Sequence, residues 1–155
     1  MKKLIAVAVV AMMILGTSVS ANEWNKIRIG VEGAYPPFSK VEKDGTLVGF
    51  DIDIAMALCE EIGAECVLVP QDWDGIIPAL LARKYDAIIA SMSITEERKK
   101  KVAFSGKYYN TPAKFARKKG SGITISKAGL KGKTVGVQRA TIHDNFITGE
   151  FGDSV

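Results

Sequence analysis

Glu32, Tyr35 and Phe38, then Asp72, Trp73 and Asp74, then Ser91, Ser93, Thr95 and Arg98, and later Arg139, Thr141 and His143 are the residues whose types suit chemistry on a small charged molecule. Arg98 carries a planar fork that matches a carboxylate in two parallel hydrogen bonds. Glu32 supplies the complementary negative charge. Tyr35 and Trp73 offer flat faces to an aliphatic or cationic chain. The hydroxyls of Ser91, Ser93 and Thr141 both donate and accept. Such a set suits a zwitterion. Each residue also has a plainer reading. Ser93-Ile94-Thr95-Glu96 has the spacing of a helix capping box. Trp73 suits a core anchor, and His143 a solvated residue in a first helical turn. The run Arg98 to Lys101 has the look of a solvated helix face.

The elements that must position these residues are legible as an alternation. Lys26 to Val31 (KIRIGV) reads as a strand. Lys43-Asp44-Gly45 is a turn between two short extended pieces. FDIDIAMALCEEIG reads as a helix capped by Asp51, with Ala55, Leu58, Cys59 and Ile62 at helical spacing and Gly63 as its stop. Cys66 to Val69 is a second strand. Asp74 caps a helix over Ile76 to Lys84, and Asp86 to Ala90 is a third strand. Strands apolar on both faces, separated by helices, mean an α/β fold with a covered parallel sheet. In such sheets ligands bind beyond the carboxyl ends of the strands, which is where the residues named above fall. Later, Lys133 to Gln138 (KTVGVQ) reads as another strand, and Thr141 to Ile147 as the start of another helix.

Residues 1–21 read as a secretory signal peptide: Lys2 and Lys3, then the short apolar run LIAVAVVAMMIL, then Val19-Ser20-Ala21 as a small-residue cleavage site. The chain of 155 residues carries a net charge of +4, which falls to about +2 once Lys2 and Lys3 are removed. That balance leaves no electrostatic footprint for nucleic acid. Export places Cys59 and Cys66 in an oxidising compartment, where a disulfide is expected. Two thiols and one distant His make a poor metal set, and no nucleophile-elbow, phosphate-loop or zinc motif is present, so neither metal nor cofactor is expected.

The stretches VEGAYPPFS, GFDIDIAMALCEEIG, DWDGIIPALLARKYDAIIASMSITEERKKKVAFS and LKGKTVGVQRAT, taken in order, resemble the periplasmic solute-binding proteins for polar amino acids, nearest the lysine/arginine/ornithine and histidine group. The resemblance runs from about Asn25 to Ile147. It implies a two-lobe periplasmic-binding-protein fold, with residues 22–109 as the N-terminal part of lobe one, 110–113 as a hinge crossing and 114–155 as part of lobe two. It implies a first lobe mostly present, a second lobe incomplete, and a chain shorter than intact members. The implied function is that of the substrate-binding subunit of an ABC-type importer. It would be a periplasmic monomer that carries a cationic L-amino acid to a membrane permease.

By the same resemblance Arg98 takes the ligand carboxylate, Ser91 and Ser93 surround the α-amino and α-carboxyl groups, and Tyr35 and Trp73 sandwich the side chain. Glu32 meets the cationic end, and Thr141 adds a hydroxyl from lobe two. Glu32 is one methylene longer than the usual Asp, Ala90 stands for a Ser, and Ile142 and His143 stand for polar residues. These departures bear on which amino acid fits. An alternative on the same fold is a dehydratase acting on a cyclic precursor of aromatic amino acids, with Glu32 or His143 as general acid or base. A third is a sensor module fused to a membrane signalling domain, against which stands the lack of a later apolar span. The 155 residues are expected to bind ligand far more weakly than an intact homologue, or not at all.

Overall fold

The structure is a computed structural model that describes residues 24–155; the proposed signal peptide and its cleavage site lie outside them. Its centre is a three-stranded parallel sheet in the order β5-β1-β6. β1 (Lys26–Val31) is the middle strand, β5 (Glu65–Pro70) pairs with it along its whole length, and β6 (Ala87–Ile88) pairs through Ile29↔Ala87 and Gly30↔Ile88. Between β1 and the first helix, β2 (Ala34–Tyr35), β3 (Ser39–Val41) and β4 (Leu47–Val48) form a small antiparallel meander, turned at Gly45 with φ +88°.

Alternation along the strands sends side chains to two faces, and each face is covered by one helix. Ile27, Ile29 and Val31 of β1, with Cys66 and Leu68 of β5, pack under α1 (Phe50–Ile62) through Ile52, Ala55 and Cys59. Val69 and Ile88 turn the other way and pack with Ile76, Ala79 and Tyr85 around α2 (Ile76–Leu81). On that second face Gly30 leaves room for the buried Tyr85 ring, whose hydroxyl donates to the Ile76 carbonyl.

Gly63 ends α1 in the left-handed region at φ 68°, as its sequence position implies. The rest of that helix differs from expectation. Its N-cap is Gly49, and Asp51 lies inside the first turn with its side chain buried. Leu58 and Ile62 are 52% and 58% exposed, because the packed line runs through Asp51, Ala55 and Cys59 at intervals of four. Asp74 is likewise no cap. It sits in a single 3-10 turn (Trp73–Gly75), and α2 starts after Gly75. α2 stops at Leu81, short of Lys84, where Arg83 turns left-handed at φ 59°. β6 is shorter than Asp86 to Ala90 because Ser91, at φ 52°, turns the chain out of the sheet.

Residues 103–126 contain no helix or strand. Beyond them lie α4 (Lys127–Leu130) and α5 (Ile142–Phe151), capped by Ser126 and Thr141. The expected strand Lys133 to Gln138 is irregular: a strand exists only through a paired ladder, and nothing pairs with this one among the described residues.

Cys59 and Cys66 are joined by a disulfide across a Cα–Cα distance of 6.0 Å, stapling the end of α1 to the start of β5. Reduction should lower unfolding stability by about 2 kcal/mol, the chain-entropy value for so short a loop. Urea denaturation with and without reductant measures it. A midpoint that does not move would show that the bond adds nothing.

Candidate functional site

The carboxyl ends of β1, β5 and β6 open on one side of the sheet, and there the chain encloses a cavity of about 180 Å³. Glu32, Tyr35, Trp73, Ser91, Ser93, Arg98 and Thr141 all line it. The sequence scatters these seven residues over more than a hundred positions. The sheet brings together those that follow β1, β5 and β6, and Thr141 joins them from the start of α5. Ala90, Gln138, Ile142 and His143 complete the wall.

Arg98 belongs to α3 (Glu96–Lys99), a single turn whose N-cap is Thr95. The Thr95 hydroxyl accepts from the Arg98 N–H. The cap expected at Ser93 is therefore Thr95, two residues on, and no capping box forms, because Arg98 stands where a box needs Glu or Gln. The guanidinium is held from three directions. Nη1 donates to the Ser93 carbonyl at 2.8 Å, Nη2 donates to the Ala140 carbonyl at 3.2 Å, and the group lies 5.4 Å from the Trp73 ring centre. Burial holds its pKa below the usual arginine value. Trp73 is half-buried against the α2 cluster, so it serves both as core and as cavity wall. Its Nε1–H donates to the same Ala140 carbonyl at 3.1 Å.

Ala140 carries that carbonyl in a left-handed conformation at φ 59°, as Ser91 does at φ 52°. Two non-glycine residues in this sparsely populated region flank one cavity, the kind of clustering found where a backbone group must be aimed. Glu32 is 9% exposed, and its Oε1 accepts from Gln138 Nε2 at 2.5 Å. Its pKa is raised, first by burial and further by the charges of Asp51 and Asp72, with the Gln138 bond opposing. Thr141 Oγ1 donates to the Gln138 carbonyl at 2.7 Å and accepts from the Asp144 N–H. The hydroxyl assigned to a ligand is thus first a helix cap. His143 is exposed at the cavity rim.

Gln138, the Ala140 carbonyl, Asp51 and Tyr108 carry no sequence signal that assigns them to the site. Gln138 ends a segment read as strand, so its side chain was not weighed. The Ala140 carbonyl has no side-chain signature at all. Asp74 and Arg139, both expected beyond strand ends, pair with each other, a contact that no spacing reveals. Asp51 and Tyr108 form a buried network with Ser91. For Asp51 a signal of burial was present: it lies in line with Ala55 and Cys59, on the buried side of α1.

Comparison with known proteins gives matches over most of the chain. A profile described as bacterial extracellular solute-binding proteins, family 3, matches residues 27–146. The L-arginine-binding protein of Pseudomonas aeruginosa is 49% identical over 150 residues, covering 97% of this chain and 58% of that protein. The chain thus spans little more than half the length of this relative. A solved ancestral arginine-binding protein bound to arginine superposes with a TM-score of 0.75 at 40% identity, over 85% of this chain and 58% of that one. The arginine-bound form of domain 1 from TmArgBP matches 55% of this chain and 68% of that one, at 45% identity and a TM-score of 0.53.

Proposed function

The chain belongs to the bacterial extracellular solute-binding proteins, family 3, and from that premise we propose that it captures a cationic L-amino acid, L-arginine foremost, in the periplasm for an ABC-type importer. The observation that carries this reading is the single cavity lined by Glu32, Tyr35, Trp73, Ser91, Ser93, Arg98 and Thr141. Arg98 receives the α-carboxylate, Glu32 the guanidinium of the ligand, and Tyr35 with Trp73 the aliphatic stem between them. Glu32 reaches one methylene further than Asp would, and burial confines its charge to the cavity. Residues 22–109 act as the N-terminal part of lobe one, 110–113 as the first hinge crossing and 114–155 as a portion of lobe two. A membrane permease is the partner that receives the amino acid, and the protein works as a monomer after cleavage of residues 1–21.

The names of the relatives support binding over catalysis. The arginine-bound form of domain 1 from TmArgBP supports the view that part of such a protein can hold arginine. Titration calorimetry of the chain against the amino acids, taken to millimolar ligand, should show heat with L-arginine, less with L-lysine, L-ornithine and L-histidine, and none with acidic amino acids. Absence of heat with every cationic amino acid would refute the proposal.

A further inference from the structure

Asp51 has no part in the binding scheme above, yet it is fully buried beside the cavity. A buried carboxylate is costly unless its lone pairs are met by donors. Here they are. Ser91 Oγ donates to Asp51 Oδ2 at 2.7 Å, and the Tyr108 hydroxyl donates to Oδ1 at 2.9 Å. The ring closes through the Ser91 N–H, which donates to the Tyr108 oxygen at 3.1 Å. Ser91 is the residue held left-handed at φ 52°, and it stands in the cavity wall.

Counting protons around this ring shows what it does. An ionised carboxylate contributes no proton and accepts from both hydroxyls. The one hydroxyl proton of Ser91 is therefore committed to Asp51, while its oxygen keeps lone pairs for a guest. We propose that Asp51 is a positioning residue that turns the Ser91 hydroxyl proton away from the cavity, so that Ser91 meets a bound molecule only as an acceptor and selects an ammonium group at that point. The inference rests on the amino-acid reading above and deepens it: the α-ammonium group is the part of the ligand that Ser91 recognises. The Asp51 charge acts on Glu32 as well, so the same carboxylate adds to the negative potential that favours a cation. An apolar residue at position 51 could fill the space but could not orient a hydroxyl.

The test compares L-arginine with 5-guanidinopentanoate, which is arginine without its α-ammonium group, by titration calorimetry on the full chain, with thermal melts run on every variant. The ratio of the two affinities should fall about tenfold in Asp51→Ala, as for loss of a hydrogen bond to a charged group. Ser91→Ala should show the same fall, and the double variant no more than either. Asp51→Asn, which keeps the shape but replaces the charge-assisted bond by a neutral one, should fall between wild type and Asp51→Ala. A merely structural role would lower the melting temperature and weaken both compounds equally, leaving the ratio unmoved, and that result overturns the assignment. If Asp51→Ala does not fold, the same judgement passes to Asp51→Asn. A wild-type chain that binds L-arginine while the ratio stays fixed in the variants refutes only the role of Asp51. A wild-type chain that binds neither compound refutes the amino-acid reading and this inference with it.

Discussion

Replacing Arg98 by alanine weakens L-arginine binding by roughly thirtyfold to several-thousandfold, enough to remove all measurable heat from a weak binder. The size follows from what is left behind. The guanidinium is half-buried against Trp73, and a carboxylate seated against it loses most of its water. Truncating one partner of such a pair leaves the other charge in a poor environment, which accounts for most of the loss. Lysine at this position recovers only part. It is a point charge without the fork, and it cannot reach the Ser93 and Ala140 carbonyls in the same plane. Lys100, exposed two residues on, is the control: its replacement by alanine shifts affinity less than about twofold, as for any solvated charge. Equal binding by the Arg98 and Lys100 variants in calorimetry would show that the cavity has been assigned to the wrong ligand group.

The second large effect is on stability. Gly30 is the penultimate residue of β1, and a Cβ built there falls 2.5 Å from Cε2 and 2.6 Å from Cζ of Tyr85. Tyr85 has nowhere to retreat: it is fully buried, and its hydroxyl is tied to the Ile76 carbonyl. Gly30→Ala should therefore destabilise the fold by about 1–3 kcal/mol, the usual cost of overpacking, despite alanine's smaller entropy loss on folding. Gly136→Ala, where a Cβ meets nothing within 4 Å, should be near neutral. Urea unfolding of the two variants decides the matter. Equal midpoints would mean that Tyr85 can move aside.

The parallel sheet and six of the seven cavity residues were readable because both rest on local rules, whereas Thr141 follows a segment that forms no strand. Apolar runs alternating with helical periods specify β1, α1, β5 and α2, and ligand-competent residues were sought only just past each strand. What could not be read was set by long-range pairing. KTVGVQ has every local mark of a strand, but pairing decides, and no ladder forms beside it. Asp51 looked like a cap because aspartate often is one. Its burial depends on hydroxyls at positions 91 and 108, which the sequence keeps far away. The capping box at Ser93 failed for a related reason. Thr95 offers the same hydroxyl two residues later, and the helix begins where its first N–H is best met.

The grip on Arg98 also decides when order is imposed on that side chain. A free arginine side chain samples many rotamers, and fixing it costs roughly 1.5–2 kcal/mol. Here the carbonyls of Ser93 and Ala140 and the face of Trp73, all groups of the protein itself, hold the guanidinium. Two of its five N–H donors are engaged, and three remain for a carboxylate. The entropy of this long side chain is thus given up when the protein folds, not when the ligand arrives. Association then need order only the guest, and the receptor's half of the encounter is preorganised.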